Sequence, residues 1–211
     1  MHFARTAFLL TSVVALAACD GSSGDGITSY VVDLQPLNES GVNGTATINV
    51  DSEANVLSVT LNADGLDDTA HAQHIHARPA EIAVCPTSAA DANADGFVDV
   101  VEGLPSYGGI LLPLDNDIST QEATSEGFPS GTSIAYSTSA SLGDVRSALA
   151  VTDDDDSDPV VTLGPDGTLA FSDFAIVVHG TTDDLPDTVA SLPGLPNAAT
   201  LPVACGAILT D

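Results

Sequence analysis

Two groups of residues in this sequence have types and spacings suited to holding metal ions. The first is His74-Ile75-His76, set in a strand-like pattern. Successive strand side chains alternate between faces, so His74 and His76 share one face while Ile75 enters the core. Two imidazoles so placed are a natural chelate for copper or zinc. The same pair can also sit hydrogen-bonded in a sandwich without metal. His71 has the opposite parity and is expected to point elsewhere. His179 ends the apolar run Phe174-Ala175-Ile176-Val177-Val178 and so stands at a strand end, a second strand context beside that of the pair.

The second group is Asp91-Ala92-Asn93-Ala94-Asp95-Gly96-Phe97-Val98-Asp99-Val100-Val101-Glu102, which fits a twelve-residue calcium loop at every position. Asp91, Asn93 and Asp95 supply oxygens at loop positions one, three and five. Gly96 permits the sharp turn, and the Phe97 carbonyl serves at seven. Asp99 acts directly or through water at nine, and Glu102 closes the site with both oxygens. An acidic surface loop is the plainer alternative in so acidic a chain. No helix is expected before the loop, and Gly103 with Pro105 should stop any helix after it. The expected arrangement is therefore a calcium loop inside a β-domain.

Strands must position these groups, because period-2 alternation dominates the chain. Apolar residues fall at even positions in 44–51 and at odd positions in 56–63, with turn residues Asp51 to Asn55 between them. The two segments predict a hairpin. Further strands are expected over 29–34, 71–77, 109–114, 132–139, 168–179 (broken near Asp173) and 203–209, and one short helix over 141–149. Many short strands parted by Gly, Pro and Asp predict an all-β, antiparallel Greek-key sandwich or barrel. The run Asp153 to Asp158 is expected to be a solvated loop.

Charge narrows the partners. The 211 residues carry 30 Asp and Glu against three Arg and no Lys, a net charge of −27. Nucleic acid is excluded, since its phosphates need a cationic footprint. Cations are favoured, and anionic substrates are repelled. Adaptation to a salty medium would give the same composition.

The N-terminus has Arg5, an apolar run from Ala7 to Ala18 too short to span a bilayer, and then Cys19. Leu16-Ala17-Ala18-Cys19 resembles a bacterial lipobox. Residues 1–18 are thus expected to be a lipoprotein signal peptide, 19–29 a lipidated flexible tether, and 30–211 one domain. The protein would sit in the cell envelope, outside the cytoplasm, anchored to a membrane through acylated Cys19. That use of Cys19 leaves Cys85 and Cys205, either a disulfide or two free thiols; an oxidising compartment favours the bridge.

His71-x-x-His74-x-His76 resembles the Cu,Zn superoxide dismutase motif that supplies two copper ligands. Val177-Val178-His179-Gly180-x-x-Asp183-Asp184-Leu185 is similar to that family's segment with another copper ligand and an orienting Asp. Ala204-Cys205-Gly206-x-Ile208 resembles its C-terminal disulfide half, with Cys85 in the partner loop. The opening strands and Ala72-Gln73-His74-Ile75-His76 equally resemble CHRD-domain proteins, a related set of β-sandwich modules. The resemblance spans most of residues 30–211. It implies a superoxide dismutase-like, immunoglobulin-like sandwich, with His74, His76 and His179 as copper-type ligands and Asp183 orienting the site.

Three departures weaken the enzymatic side. No His stands between His76 and His179, so the bridging and zinc-binding histidines are missing. Pro202 occupies the place of the anion-guiding Arg. The calcium loop falls where the dismutases build their zinc loop. The expected function is accordingly a non-catalytic, membrane-anchored binding and metal-binding module, stabilised by calcium, with copper at the histidines and a protein or surface partner. The alternative is a copper-dependent superoxide dismutase-like enzyme of low activity.

Overall fold

The computed structural model of the chain describes residues 26–78, 81–121, 127–150 and 169–210. The expected signal segment, Cys19 and the run Asp153 to Asp158 lie outside these. The chain is all-β in character. Its strands are β1 (Ile27–Pro36), β2 (Asn43–Asp51), β3 (Val56–Asp64), β4 (Gln73–Ala77), β5 (Gly109–Pro113), β6 (Ser133–Ser141), β7 (Ala175–His179) and β8 (Pro202–Thr210). They form one antiparallel eight-stranded sheet in the order β5-β4-β7-β8-β1-β2-β3-β6. The links from β3 to β4, from β5 to β6 and from β6 to β7 cross between its two halves, giving Greek-key connectivity.

The predicted hairpin forms in full register from Asn43↔Asp64 to Asp51↔Val56. Its turn is built by the Asp51 carboxylate, which accepts the N–H groups of Glu53 and Ala54. Alternation then puts Ile48, Leu57 and Leu61 inward from one half of the sheet, and Ile75, Ile176 and Ile208 inward from the other. All belong to one buried cluster, so the sheet curls round a single core. β4 and β7 are buried on both faces. Their outer side faces a second cluster, Ala83, Tyr107, Ala175, Val177 and Cys205, under the excursion that joins β4 to β5.

Several boundaries differ from expectation. β1 begins at Ile27, inside the expected tether, because Ile27 to Ser29 pair with Asp51 to Asn49. β4 starts at Gln73, and His71 lies before it with its N–H on the Pro129 carbonyl. The expected 168–179 strand survives only as β7. Before it the chain turns, Phe174 N–H bonding the Phe171 carbonyl, and Thr168 is outside the described residues.

A helix does follow the acidic loop: α1 (Val100–Tyr107) contains both Gly103 and Pro105. The Asp99 side chain caps its first turn and Glu102 reciprocates, a complete capping box. Gly103 is needed there for room, since a Cβ would lie 2.5 Å from the Tyr107 ring. The one expected helix appears as α2 (Leu142–Ala150), and a short α3 (Asn197–Thr200) was not anticipated. No helix among the described residues is long and apolar enough to cross a membrane.

Cys85 and Cys205 form a disulfide across a separation of 120 residues, fastening the β4–β5 excursion to β8. Replacing both cysteines with serine should lower the unfolding free energy by about 4–5 kcal/mol, from the loop entropy regained by the unfolded chain. Urea unfolding measures it; a loss under about 1 kcal/mol would mean that the excursion holds without the bridge.

Candidate metal centre

His74, His76 and His179 converge. Antiparallel pairing of β4 with β7 sets His74 opposite Val177, and the register shifts beside His76 and again beside His179. Irregularities of this kind re-aim side chains. One ring nitrogen from each histidine lies within 4.8 Å of the other two, the one such set of metal-ligating side chains among the described residues. The residues are only 6, 3 and 4% exposed, so bulk water does not solvate these nitrogens.

The hydrogen bonds choose which nitrogens converge. His76 Nδ1 donates to the Gly108 carbonyl at 2.9 Å, and His179 Nδ1 donates to the Thr200 carbonyl at 2.8 Å. Each proton placement leaves a lone pair on Nε2. His74 Nδ1, His76 Nε2 and His179 Nε2 are all buried and have no hydrogen-bond partner. Three buried ring nitrogens without a partner in one dry place would be costly unless something joins them.

Charge on the rings is suppressed. Burial pushes His76 down to about 3, reinforced by His179, and burial pushes His179 down to about 4. Burial also holds His74 well below the ordinary histidine range, with both neighbouring imidazoles adding to the effect. All three are therefore neutral at pH 7, the form in which imidazole binds a metal.

Two aromatic rings roof the centre. Tyr107 packs against His76 with centroids 4.7 Å apart, and Phe128 against His74 at 5.3 Å. The phenol of Tyr107 donates to the Val100 carbonyl, which locks the ring to the start of its own helix. Gly108, which supplies the carbonyl for His76, has φ 83°, and a Cβ there would meet the Ala77 carbonyl at 1.9 Å. Only glycine fits this close approach. Tyr107, Gly108, Phe128 and Thr200 were not singled out from the sequence, because each reaches the site through a contact distant along the chain.

His71 stays apart, as its parity suggested. Its ring nitrogens face the carbonyls of His179 and Asp67. Asp183 is not the group that orients His76 and His179, since backbone carbonyls do that. Its N–H donates to Thr181 Oγ1, and it lines a small cavity with Asp67.

The acidic loop folds on its own backbone. Asp91 accepts the N–H groups of Asp95 and Gly96, Asn93 Oδ1 that of Asp95, and Asp95 Oδ1 that of Phe97. That last bond holds the Asp95 carboxyl below its ordinary range. Glu102 reaches back across the loop to the N–H groups of Ala92, Asn93 and Asp99. Asp99 is buried, with one oxygen on Val101 and Glu102 N–H and the other on Ala190 N–H; it serves as a helix cap.

No protein-family model matches the chain, and no curated protein matches it.

The suppressed ring charges fix a pH dependence. Each folded-state histidine value lies below the unfolded value near 6.5, so the unfolded chain binds protons first as pH falls. The stability of the metal-free protein is thus fully present above about pH 6.5 and is lost progressively as pH falls towards 4. Each histidine adds a slope of about 1.4 kcal/mol per pH unit. A His76→Gln variant, followed by urea unfolding from pH 7 to pH 4, should show a slope shallower by about that amount; equal slopes would overturn the assignment.

Proposed function

We propose that this chain is an extracytoplasmic, lipid-anchored binding module whose centre, His74, His76 and His179, holds one copper-type ion. The observation that carries this is the convergence of three neutral, buried imidazoles on three ring nitrogens that have no other partner. Such a donor set suits copper or zinc and is too soft for calcium or magnesium. When bound, copper would supply one-electron chemistry. The protein's own contribution is to keep the imidazoles neutral, aim them by the Gly108 and Thr200 carbonyls, and exclude water beneath Tyr107 and Phe128. The lipid anchor rests on the lipobox-like residues before Cys19.

The Greek-key fold, the order of the histidines and the Cys85–Cys205 bridge support a place beside CHRD modules and Cu,Zn superoxide dismutases as a divergent relative. A binding role is favoured over dismutation. Pro202 offers no guiding cation, the net charge of −27 repels an anion, and the imidazoles are closed over. We assign calcium to the 91–102 loop as a structural ion. Asp91, Asn93, Asp95, Glu102 and the Phe97 carbonyl would hold it, with the ligand spacing of the loop as supporting observation.

Metal analysis of a secreted, metal-replete preparation tests the first assignment. One copper-type ion per chain is expected, and His179→Ala should lose it. Retention by that variant would sink the centre. Superoxide turnover should not exceed buffer; turnover that vanishes with His179→Ala would establish the enzyme instead. Saturating calcium, at about 100 times its dissociation constant, should add about 2.7 kcal/mol of stability. Glu102→Gln should remove most of that while changing little in chelator, and equal effects in both would remove calcium from the loop.

A further inference from the structure

The two ends of the sheet are treated differently. β5 has five residues, ends in Pro113, and its Leu111 carbonyl accepts from the Gln121 side chain. β6 has nine residues, Ser-Ile-Ala-Tyr-Ser-Thr-Ser-Ala-Ser. One of its edges pairs with β3 without interruption from Val56↔Ser141 to Asp64↔Ser133. Its other edge has no strand partner among the described residues. Free edges invite pairing with foreign chains, and proteins usually blunt them with lysine, proline, a bulge or brevity. β6 uses none of these.

A groove of about 430 Å³ lies beside it. Ala135, Tyr136, Ser137 and Thr138 all line that groove. Consecutive strand residues point to opposite faces, so a cavity that touches all four runs along the edge of the strand. Asp115, Asn116 and the 127–129 segment form the opposite wall. The Tyr136 hydroxyl donates to the Asp115 carbonyl at 2.8 Å and ties that wall to the strand. No lysine or arginine lines the groove, and the chain as a whole carries −27.

We infer that the free edge of β6 docks an extended, lysine- or arginine-rich segment of another polypeptide, which joins the sheet as a further strand. Main-chain hydrogen bonds to 133–141 supply the affinity, as in other strand-addition complexes. The acidic field supplies the preference for a basic partner and raises its association rate. A second copy is the wrong occupant, because two chains of −27 repel each other. The inference rests on the binding-module part of the proposed function and needs no metal at the histidines.

The test uses the full mature chain, metal-free, with a synthetic nine-residue peptide alternating lysine and valine. Controls are the same peptide N-methylated at every second amide and its glutamate-for-lysine counterpart. Calorimetry reads affinity, and amide hydrogen exchange reads location. Saturable one-to-one binding is expected, with exchange slowed at alternate residues of 133–141. N-methylation should weaken binding about tenfold or more through lost backbone bonds. The acidic peptide and an Asn116→Lys protein should each bind several-fold more weakly. Absence of binding, equal binding of the N-methylated peptide, or protection elsewhere would each overturn the proposal. So would protection, in the free monomer, of those 133–141 amides that point away from β3, or a dimer protected along that edge. Because the assay is metal-free, its failure leaves the histidine centre standing, and loss of metal in His179→Ala leaves the edge untouched.

Discussion

β4 and β7 are buried on both faces, and one of those faces carries imidazoles as well as methyl groups. A sheet of this kind needs a dry cover on its outer side, and the cover must also satisfy the imidazole N–H groups it desolvates. The 81–108 excursion provides both. Its apolar residues Ala83 and Tyr107 pack on Ala175, Val177 and Cys205, and its Gly108 carbonyl takes the proton of His76. Two fastenings hold it down: the disulfide to β8, and the main-chain bond from the Ala83 N–H to the Asp173 carbonyl. Without the cover the histidines would be wet, their charge would return at mild acidity, and their nitrogens would have water as partner.

α1 is where the two candidate ion sites meet. Asp99 caps its start and Glu102 completes the capping box while reaching into the acidic loop. Tyr107, in its last turn, lies on His76, and its hydroxyl returns to the Val100 carbonyl of the first turn. Eight residues therefore tie the loop's closing carboxylate to the roof of the histidines. Pro105 removes one N–H from this helix, but the complete cap and the buried phenol hold the remaining turns. Local breaker residues thus lost to a cap and a packing contact, which are stronger determinants of this short helix than composition.

Charge is divided sharply in this molecule. The carboxylates belong to the loops and outer surface, whereas the histidine centre is neutral and enclosed. The negative net charge does not oppose approach of a cation, and the rings of Tyr107 and Phe128 pack against His76 and His74. At the opposite boundary of the sheet, the outer edge of β6 has no strand partner among the described residues.

Alternation in the sequence was enough for the hairpin β2–β3, the all-β class, and the shared face of His74 and His76. Each depends on side-chain direction, which is fixed within a few residues of chain. Cysteine arithmetic likewise favoured joining Cys85 with Cys205, on the expectation that Cys19 is lipidated outside the cytoplasm. The position of β1's start, the survival of α1, and the cutting short of β7 were not legible. They depend on pairing with Asp51 to Asn49, on Tyr107 covering Gly103, and on a turn closed by Phe171 and Phe174. The same holds for the orienting groups of the metal centre. Any residue can offer a carbonyl, so the family resemblance alone pointed to an orienting group, Asp183, whereas in the fold the backbone carbonyls of Gly108 and Thr200 hold His76 and His179. Residue type set which atoms could bind a metal; only the tertiary structure decided which of them were desolvated, aimed and left without another partner.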